Sequence, residues 1–259
     1  MTHNDKQIFL INALLRERKD GKSIAIPKST AHQKQLLRSL MNIRPPMPLN
    51  SDTLQVQDEY LAEEIGARGI TDIENLVPIE KQLYLWKGDI TSLRADAIVN
   101  AANSGMIGCF VPCHVCIDNA IHTYAGMQLR NACAEIMENQ GKPEETGKAK
   151  ITPAFNLPSQ YIIHTVGPIV NGKLTEQDCE LLASCYSSCL ELAEQNNVKS
   201  IAFCCISTGE FHFPNERAAE ISARTVRAFI EDAQSKIKVI FNVFKEEDYE
   251  IYQRILSGN

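Results

Sequence analysis

Between residues 108 and 117 the chain reads GCFVPCHVCI, three cysteines around one histidine in a stretch with neither helical nor strand period. Cys109, His114 and Cys116 form a Cys-x4-His-x-Cys set. Thiolate and neutral imidazole are ligands that zinc favours, and three protein ligands with an open fourth position are the usual arrangement of a catalytic zinc site. The spacing fits no common structural finger, and no second Cys/His pair follows to close a tetrahedron. Cys113 is a rival ligand, or a fourth one that closes the site; a chance cluster that binds metal adventitiously is the alternative to both. Asp118 opens the helix that follows. A carboxylate there is either a plain N-cap or a base that orients a ligand hydroxyl or a water. His122, four residues further on, reads as a packed or supporting histidine.

Two other loops carry polar residues suited to a ligand. Asn100, Asn103 and Ser104 follow a short apolar run, and ligands of open α/β sheets bind beyond the carboxyl ends of strands. The segment STGEFHFP (207–214) leaves a second apolar run and enters a helix. Ser, Thr and Gly before a helix expose main-chain N–H groups in a concave turn, a seat for a pyrophosphate. Asp89 follows the first strand and Phe244 ends the last. One can accept from an adenine amino group and the other can stack on the base; each can equally be a turn or core residue.

The elements that must hold these loops fall into two textures. Residues 1–78 read as helices: one over 6–18, one from Thr30 with Gln33 at capping-box spacing, and one over 53–66. The proline-rich stretch 44–50 separates the last two. From residue 79 to 259, short apolar strands alternate with amphipathic helices. Strands are expected at 83–86, 97–99, 149–151, 161–166, 200–206 and 237–244. Helices are expected at 118–138, 176–195, 215–231 and 246–256. Such alternation implies crossover connections and a sheet covered on both faces. The expected fold is α/β: a three-layer α/β/α domain over 79–259, capped by a helical extension over 1–78.

Composition narrows the function classes. The net charge of −6 and pI near 5.6 argue against non-specific nucleic-acid binding, which needs excess Lys and Arg. No run approaches the roughly 18 apolar residues of a membrane span, and the polar start (Met1, Lys6) is followed by no cleavable apolar segment. The expected compartment is the cytoplasm. Nine cysteines, an odd number without a secretion signal, do not suggest disulfides. Cys185, Cys189, Cys204 and Cys205 read as small core hydrophobes.

Five segments in order carry a resemblance: GDI (88–90), IVNAANS (98–104), IDNAIHTYAG (117–126), YIIHTVGP (161–168) and ISTGEFHFP (206–214). Together they resemble the macrodomain family of ADP-ribose-binding modules, over roughly residues 83–256. The resemblance implies a mixed central sheet with ADP-ribose across its strand ends. It assigns Asp89 and Ile90 to adenine, Asn103 to the distal ribose, Ser207, Thr208, Gly209, Glu210 and Phe211 to the diphosphate, and Phe244 to the adenine flank. Where hydrolytic macrodomains commonly carry a glycine-rich run, this chain has GCF-x-P-x-H-x-CIDN. That pattern is similar to a zinc-containing microbial subgroup that removes ADP-ribose from proteins, often encoded with a sirtuin-type ADP-ribosyltransferase. The same likeness selects Cys109, His114 and Cys116 as Zn2+ ligands and leaves Cys113 out.

The reaction so implied cuts the bond between C1 of the distal ribose and a protein side chain, an ester of an acidic residue. Zinc would polarise a ribose oxygen or activate a water, with Asp118 as base or orienter and Asn103 fixing the ribose. Mono-ADP-ribosylated protein is the expected partner, with no membrane or nucleic acid. The competing readings are an ADP-ribose reader without catalysis, a scaffold whose helical extension binds a partner, and a hydrolase of O-acetyl-ADP-ribose.

Overall fold

In the computed structural model, which describes residues 1–258, the chain opens with three helices: α1 (His3–Arg16), α2 (Thr30–Ile43) and α3 (Ser51–Arg68). There follow β1 (Thr71–Asp72), β2 (Leu83–Lys87), β3 (Leu93–Arg94), β4 (Ala97–Ala102), α4 (Ile117–Ala125), α5 (Met127–Gln140), β5 (Ala149–Pro153) and β6 (Tyr161–Val166). The chain closes with α6 (Glu176–Gln195), β7 (Ser200–Phe203), α7 (Asn215–Asp232), β8 (Lys238–Val243) and α8 (Glu246–Ser257).

Six strands form the main sheet in the order β2-β8-β7-β4-β6-β5. All neighbours run parallel except the edge strand β5, antiparallel to β6. The sheet is therefore mixed. Its central strands read Ala97–Ala102 and Ser200–Phe203 with almost every residue buried, as expected of strands covered on both faces. Helices α6, α7 and α8 pack together on one side, while α4 lies against β4 and α5 on the other. This is the expected three-layer α/β/α arrangement with helices before the first strand.

The extension has its own apolar core, with Leu10, Ile11, Leu14, Leu37, Leu40 and Leu61 buried. Met127 of α5 belongs to that cluster, so the three helices are seated on the second layer rather than tethered to it. Burying each such side chain contributes about 1.5–3 kcal/mol. No helix among the described residues is long and apolar enough to cross a membrane.

Three local expectations need correction. The helix expected over 118–138 is two helices, because Gly126 sits at φ 95° between Ala125 and Met127. A side chain rarely adopts that conformation, and glycine carries the break. The capping box expected at Thr30 is absent. Ser29 is the N-cap without a side-chain bond, and the Gln33 amide donates to the Pro27 carbonyl at 2.7 Å. The apolar run 200–206 is strand only to Phe203, so Cys204 and Cys205 lie just past the strand end.

Candidate active site

Strand β4 runs three residues further than its apolar run predicts, which places Asn100 inside the sheet opposite His164 of β6. Asn100 is fully buried. Its amide donates to Asp118 Oδ1 at 2.8 Å and to His164 Nδ1 at 3.1 Å. Because Nδ1 accepts, the neutral His164 ring carries its proton on Nε2, 2.9 Å from Thr152 Oγ1. Burial holds His164 well below the usual imidazole range, at about 3. The Asn100 amide, held in place by His164, thus fixes one oxygen of Asp118. The other lies 3.4 Å from Asn103 Nδ2.

Asp118 is not the N-cap of α4. Cys116 is, its sulfur accepting from the Asn119 N–H at 3.4 Å. Asp118 is the second residue of the helix and is 4% exposed. Burial raises its carboxyl from 3.8 to about 6, against the lowering effect of the Asn100 hydrogen bond and the Arg130 charge. His122 is buried with both ring nitrogens unpartnered, and Nε2 stands 3.6 Å from Asp118 Oδ1. It is a packed histidine behind the carboxylate.

The loop between β4 and α4 brings Cys109, His114 and Cys116 together, with Sγ, ring nitrogen and Sγ all within 4.8 Å of one another. Cys109 Sγ is 3.8 Å from His114 Nδ1. All three are half-buried. Cys113 turns away, at φ 54°, its thiol donating to the Gln35 carbonyl at 3.4 Å. Burial pushes the Cys116 thiol up to about 12, and the neighbouring Cys109 and Asp118 push the same way. Negative charge is disfavoured here unless a cation accompanies it. Two thiols and one imidazole converging in a half-buried loop form a donor set that suits zinc.

The extension straps this loop down, which sequence reasoning missed. Arg38 of α2 donates to the His114 carbonyl at 3.0 Å and to Asn119 Oδ1 at 2.8 Å. Asn42 accepts from the Cys113 N–H at 2.9 Å. Arg130 of α5 donates to the Ile107 carbonyl at 2.8 Å and lies over the Phe110 ring. Gly108 lies under the loop at φ 86°, and a Cβ there would meet the His122 ring at 2.8 Å. Replacing Gly108 with Ala is expected to cost about 1–3 kcal/mol of stability through the strained conformation alone. Denaturant unfolding measures this, and an unchanged midpoint would contradict the tight fit.

Facing the cysteine loop is the turn 207–214, entered at Ser207 with φ 66°. Phe213 N–H closes it onto the Ser207 carbonyl at 3.0 Å. Among the described residues, the N–H groups of Gly209, Glu210 and Phe211 donate to no carbonyl of the chain. They remain available to an anion. Ser207 Oγ is buried without a partner, while the Thr208 hydroxyl is used on the Cys205 carbonyl at 3.1 Å. Glu210 Oε1 approaches His114 Nε2 at 3.6 Å, so the two loops meet across the site.

At the far end of the sheet, Phe244 follows β8 and is 77% exposed, a free ring able to stack. Ile90 is 1% exposed and belongs to the core; only its main chain can meet a base. Asp89 accepts from the Thr91 N–H at 2.9 Å and from Arg68 Nη1 at 2.6 Å. Arg68 and Arg38 left no local trace in the sequence, since their partners lie 21 and 81 residues away. Asn100 and His164 did leave one: each is a polar residue interrupting an apolar strand.

A mixed sheet flanked by helices, with a polar loop after its central strand and an amide-lined turn opposite, has the layout of an α/β ligand-binding domain. The chain belongs to the macro domain family, whose model matches residues 99–222. It is 55% identical to the "Protein-ADP-ribose hydrolase" of Treponema medium, over 99% of this chain and 100% of that one. It is 47% identical to the "Protein-ADP-ribose hydrolase" of Staphylococcus aureus strain MSSA476, over 96% of this chain and 94% of that one. Among solved structures, an Oceanobacillus iheyensis macrodomain variant with ADPR aligns at a TM-score of 0.64 and 40% identity. That alignment covers 71% of this chain and 96% of the other.

Proposed function

We propose that this chain is a zinc-assisted hydrolase that removes mono-ADP-ribose from proteins, cutting an ester between C1 of the distal ribose and an acidic side chain. The observation that carries the reading is the convergence of Cys109, His114 and Cys116 within 4.8 Å, beside a buried Asp118 and across from the turn 207–214. The hydrolase names of the full-length relatives support the activity.

Each part of the ligand has a place. Phe244 stacks on adenine and Asp89 accepts from its amino group. The N–H groups of Gly209, Glu210 and Phe211 take the diphosphate, and Asn103 holds the distal ribose. Zinc, when bound by Cys109, His114 and Cys116, supplies Lewis acidity toward a ribose oxygen or a water. Asp118, held by Asn100, orients the attacking water and takes its proton. The new bond joins that water oxygen to C1, and the electron pair of the old bond leaves with the side-chain carboxylate. A sirtuin-type ADP-ribosyltransferase would install the modification, a pairing supported by the motif resemblance.

Incubation with a mono-ADP-ribosylated protein tests this directly: free ADP-ribose should accumulate catalytically and stop accumulating on chelation. A reader would bind the modified protein and release nothing. Activity confined to O-acetyl-ADP-ribose would assign the site to a small metabolite instead. The strap makes a further expectation. Arg38→Ala should weaken zinc affinity about 10- to 100-fold, the usual effect of removing an outer partner of a ligand. Competition with a chromophoric chelator reads this, and unchanged affinity would show that Arg38 merely packs.

A further inference from the structure

Arg68 is the last residue of α3, and Gly69, at φ 82°, turns the chain away from it. Its guanidinium carbon lies over the Tyr124 ring, 3.6 Å from the centroid. One corner of the fork, Nη1, donates to Asp89 Oδ2 at 2.6 Å and contacts Thr91 Oγ1 at 3.0 Å. Nε and Nη2 are buried and have no partner. Orphaned donors on a stacked, immobilised guanidinium are costly, and the bonds from Nη1 to Asp89 and Thr91 are what offset them. The other oxygen of Asp89, Oδ1, is held by the N–H and hydroxyl of Thr91, at 2.9 and 2.6 Å. Both carboxylate oxygens are therefore anchored, yet the side chain remains 39% exposed and Oδ2, with one bond accepted, can accept another.

We propose that Arg68, supplied by the helical extension, is a positioning residue for base recognition: it fixes the Asp89 carboxylate in the one orientation that accepts from an adenine amino group. The inference rests on the assignment of Asp89 to adenine. It gives α3 a part in ligand specificity at the end of the sheet opposite the cysteine loop. Two carboxylate oxygens clamped by an arginine fork corner and a threonine lose little freedom on binding, so the bond to the base forms without the side chain having to be ordered first. Without Arg68, Asp89 is anchored through Oδ1 alone and can swing about its side-chain torsion.

The test compares ADP-ribose with its purine analogue, in which the amino group of the base is replaced by hydrogen and N1 remains an acceptor. Binding is measured by calorimetry on the full-length, zinc-loaded protein. Loss of the Arg68 charge affects both ligands equally and cancels in the ratio of their affinities. The wild type should prefer ADP-ribose by about tenfold or more, the worth of one hydrogen bond to a charged acceptor. Arg68→Ala should reduce that preference to about twofold, with the zinc content unchanged. A preference that survives in Arg68→Ala overturns the inference while leaving the adenine assignment intact. A wild type with no preference overturns the adenine assignment of Asp89, and the inference with it. Should Arg68→Ala fail to fold, Arg68→Lys carries the test. It keeps the charge but not the planar fork, so a reduced preference supports positioning and an unchanged one overturns it.

Discussion

Cys116→Ser is expected to abolish zinc binding and lower hydrolysis by on the order of 10³-fold. Serine is chosen for a structural reason. Cys116 is the N-cap of α4, accepting from the Asn119 N–H, and Ser is among the best N-caps. The hydroxyl keeps the helix start while removing the soft thiolate. Losing Lewis-acid stabilisation worth several kcal/mol converts to roughly that factor, at about 1.4 kcal/mol per tenfold. Metal content by mass spectrometry and single-turnover release of ADP-ribose check it together. A Cys116→Ser protein with no metal and full activity would make the zinc structural. Cys113→Ser is the control: Cys113 points at Gln35, not at the other sulfurs, and its loss should leave metal content as it was.

Asp118→Asn is expected to move activity and stability in opposite directions. The carboxyl is raised to about 6 by burial, above the ordinary value of 3.8. Below pH 4 the group is protonated in both folded and unfolded chains and burial costs nothing. Between about 4 and 6 the unfolded chain releases its proton while the folded one keeps it. Stability therefore falls as pH rises through that window, and the full penalty stands above pH 6. A rise from 3.8 to about 6 corresponds to roughly 3 kcal/mol. In the metal-free protein, Asp118→Asn should raise the melting temperature at pH 7.5, and the gain should vanish near pH 4. Hydrolysis should fall about 10²- to 10⁴-fold, the range for loss of a general base. A variant destabilised equally at both pH values would show that Asp118 is held by its hydrogen bonds, not strained by its burial.

The cysteine loop was legible because three soft ligands in one irregular stretch serve few purposes. The same local rules could not assign Asp118: a carboxylate at a helix start satisfies the N-cap rule, yet the cap here is Cys116 two residues earlier. What separates the two cases is burial, which depends on Asn100, His164 and Arg130 arriving from β4, β6 and α5. The alternation of strands and helices gave the layers. It did not give the break at Gly126, since apolar residues continue through it and a lone glycine is tolerated within a helix. Least legible was the extension. Its apolar period showed three helices, while nothing local marks Arg38, Asn42 and Arg68, which the fold sets against His114, Cys113 and Asp89.

The most direct test of zinc-assisted hydrolysis is metal reconstitution on a single preparation. The protein is stripped of metal, assayed for release of ADP-ribose from a mono-ADP-ribosylated protein, titrated with Zn2+ and assayed again. Activity should be absent after stripping and return in proportion to zinc bound, saturating at one ion per chain. Full activity in the stripped protein, with ADP-ribose still bound and released, would contradict a catalytic role for Cys109, His114 and Cys116.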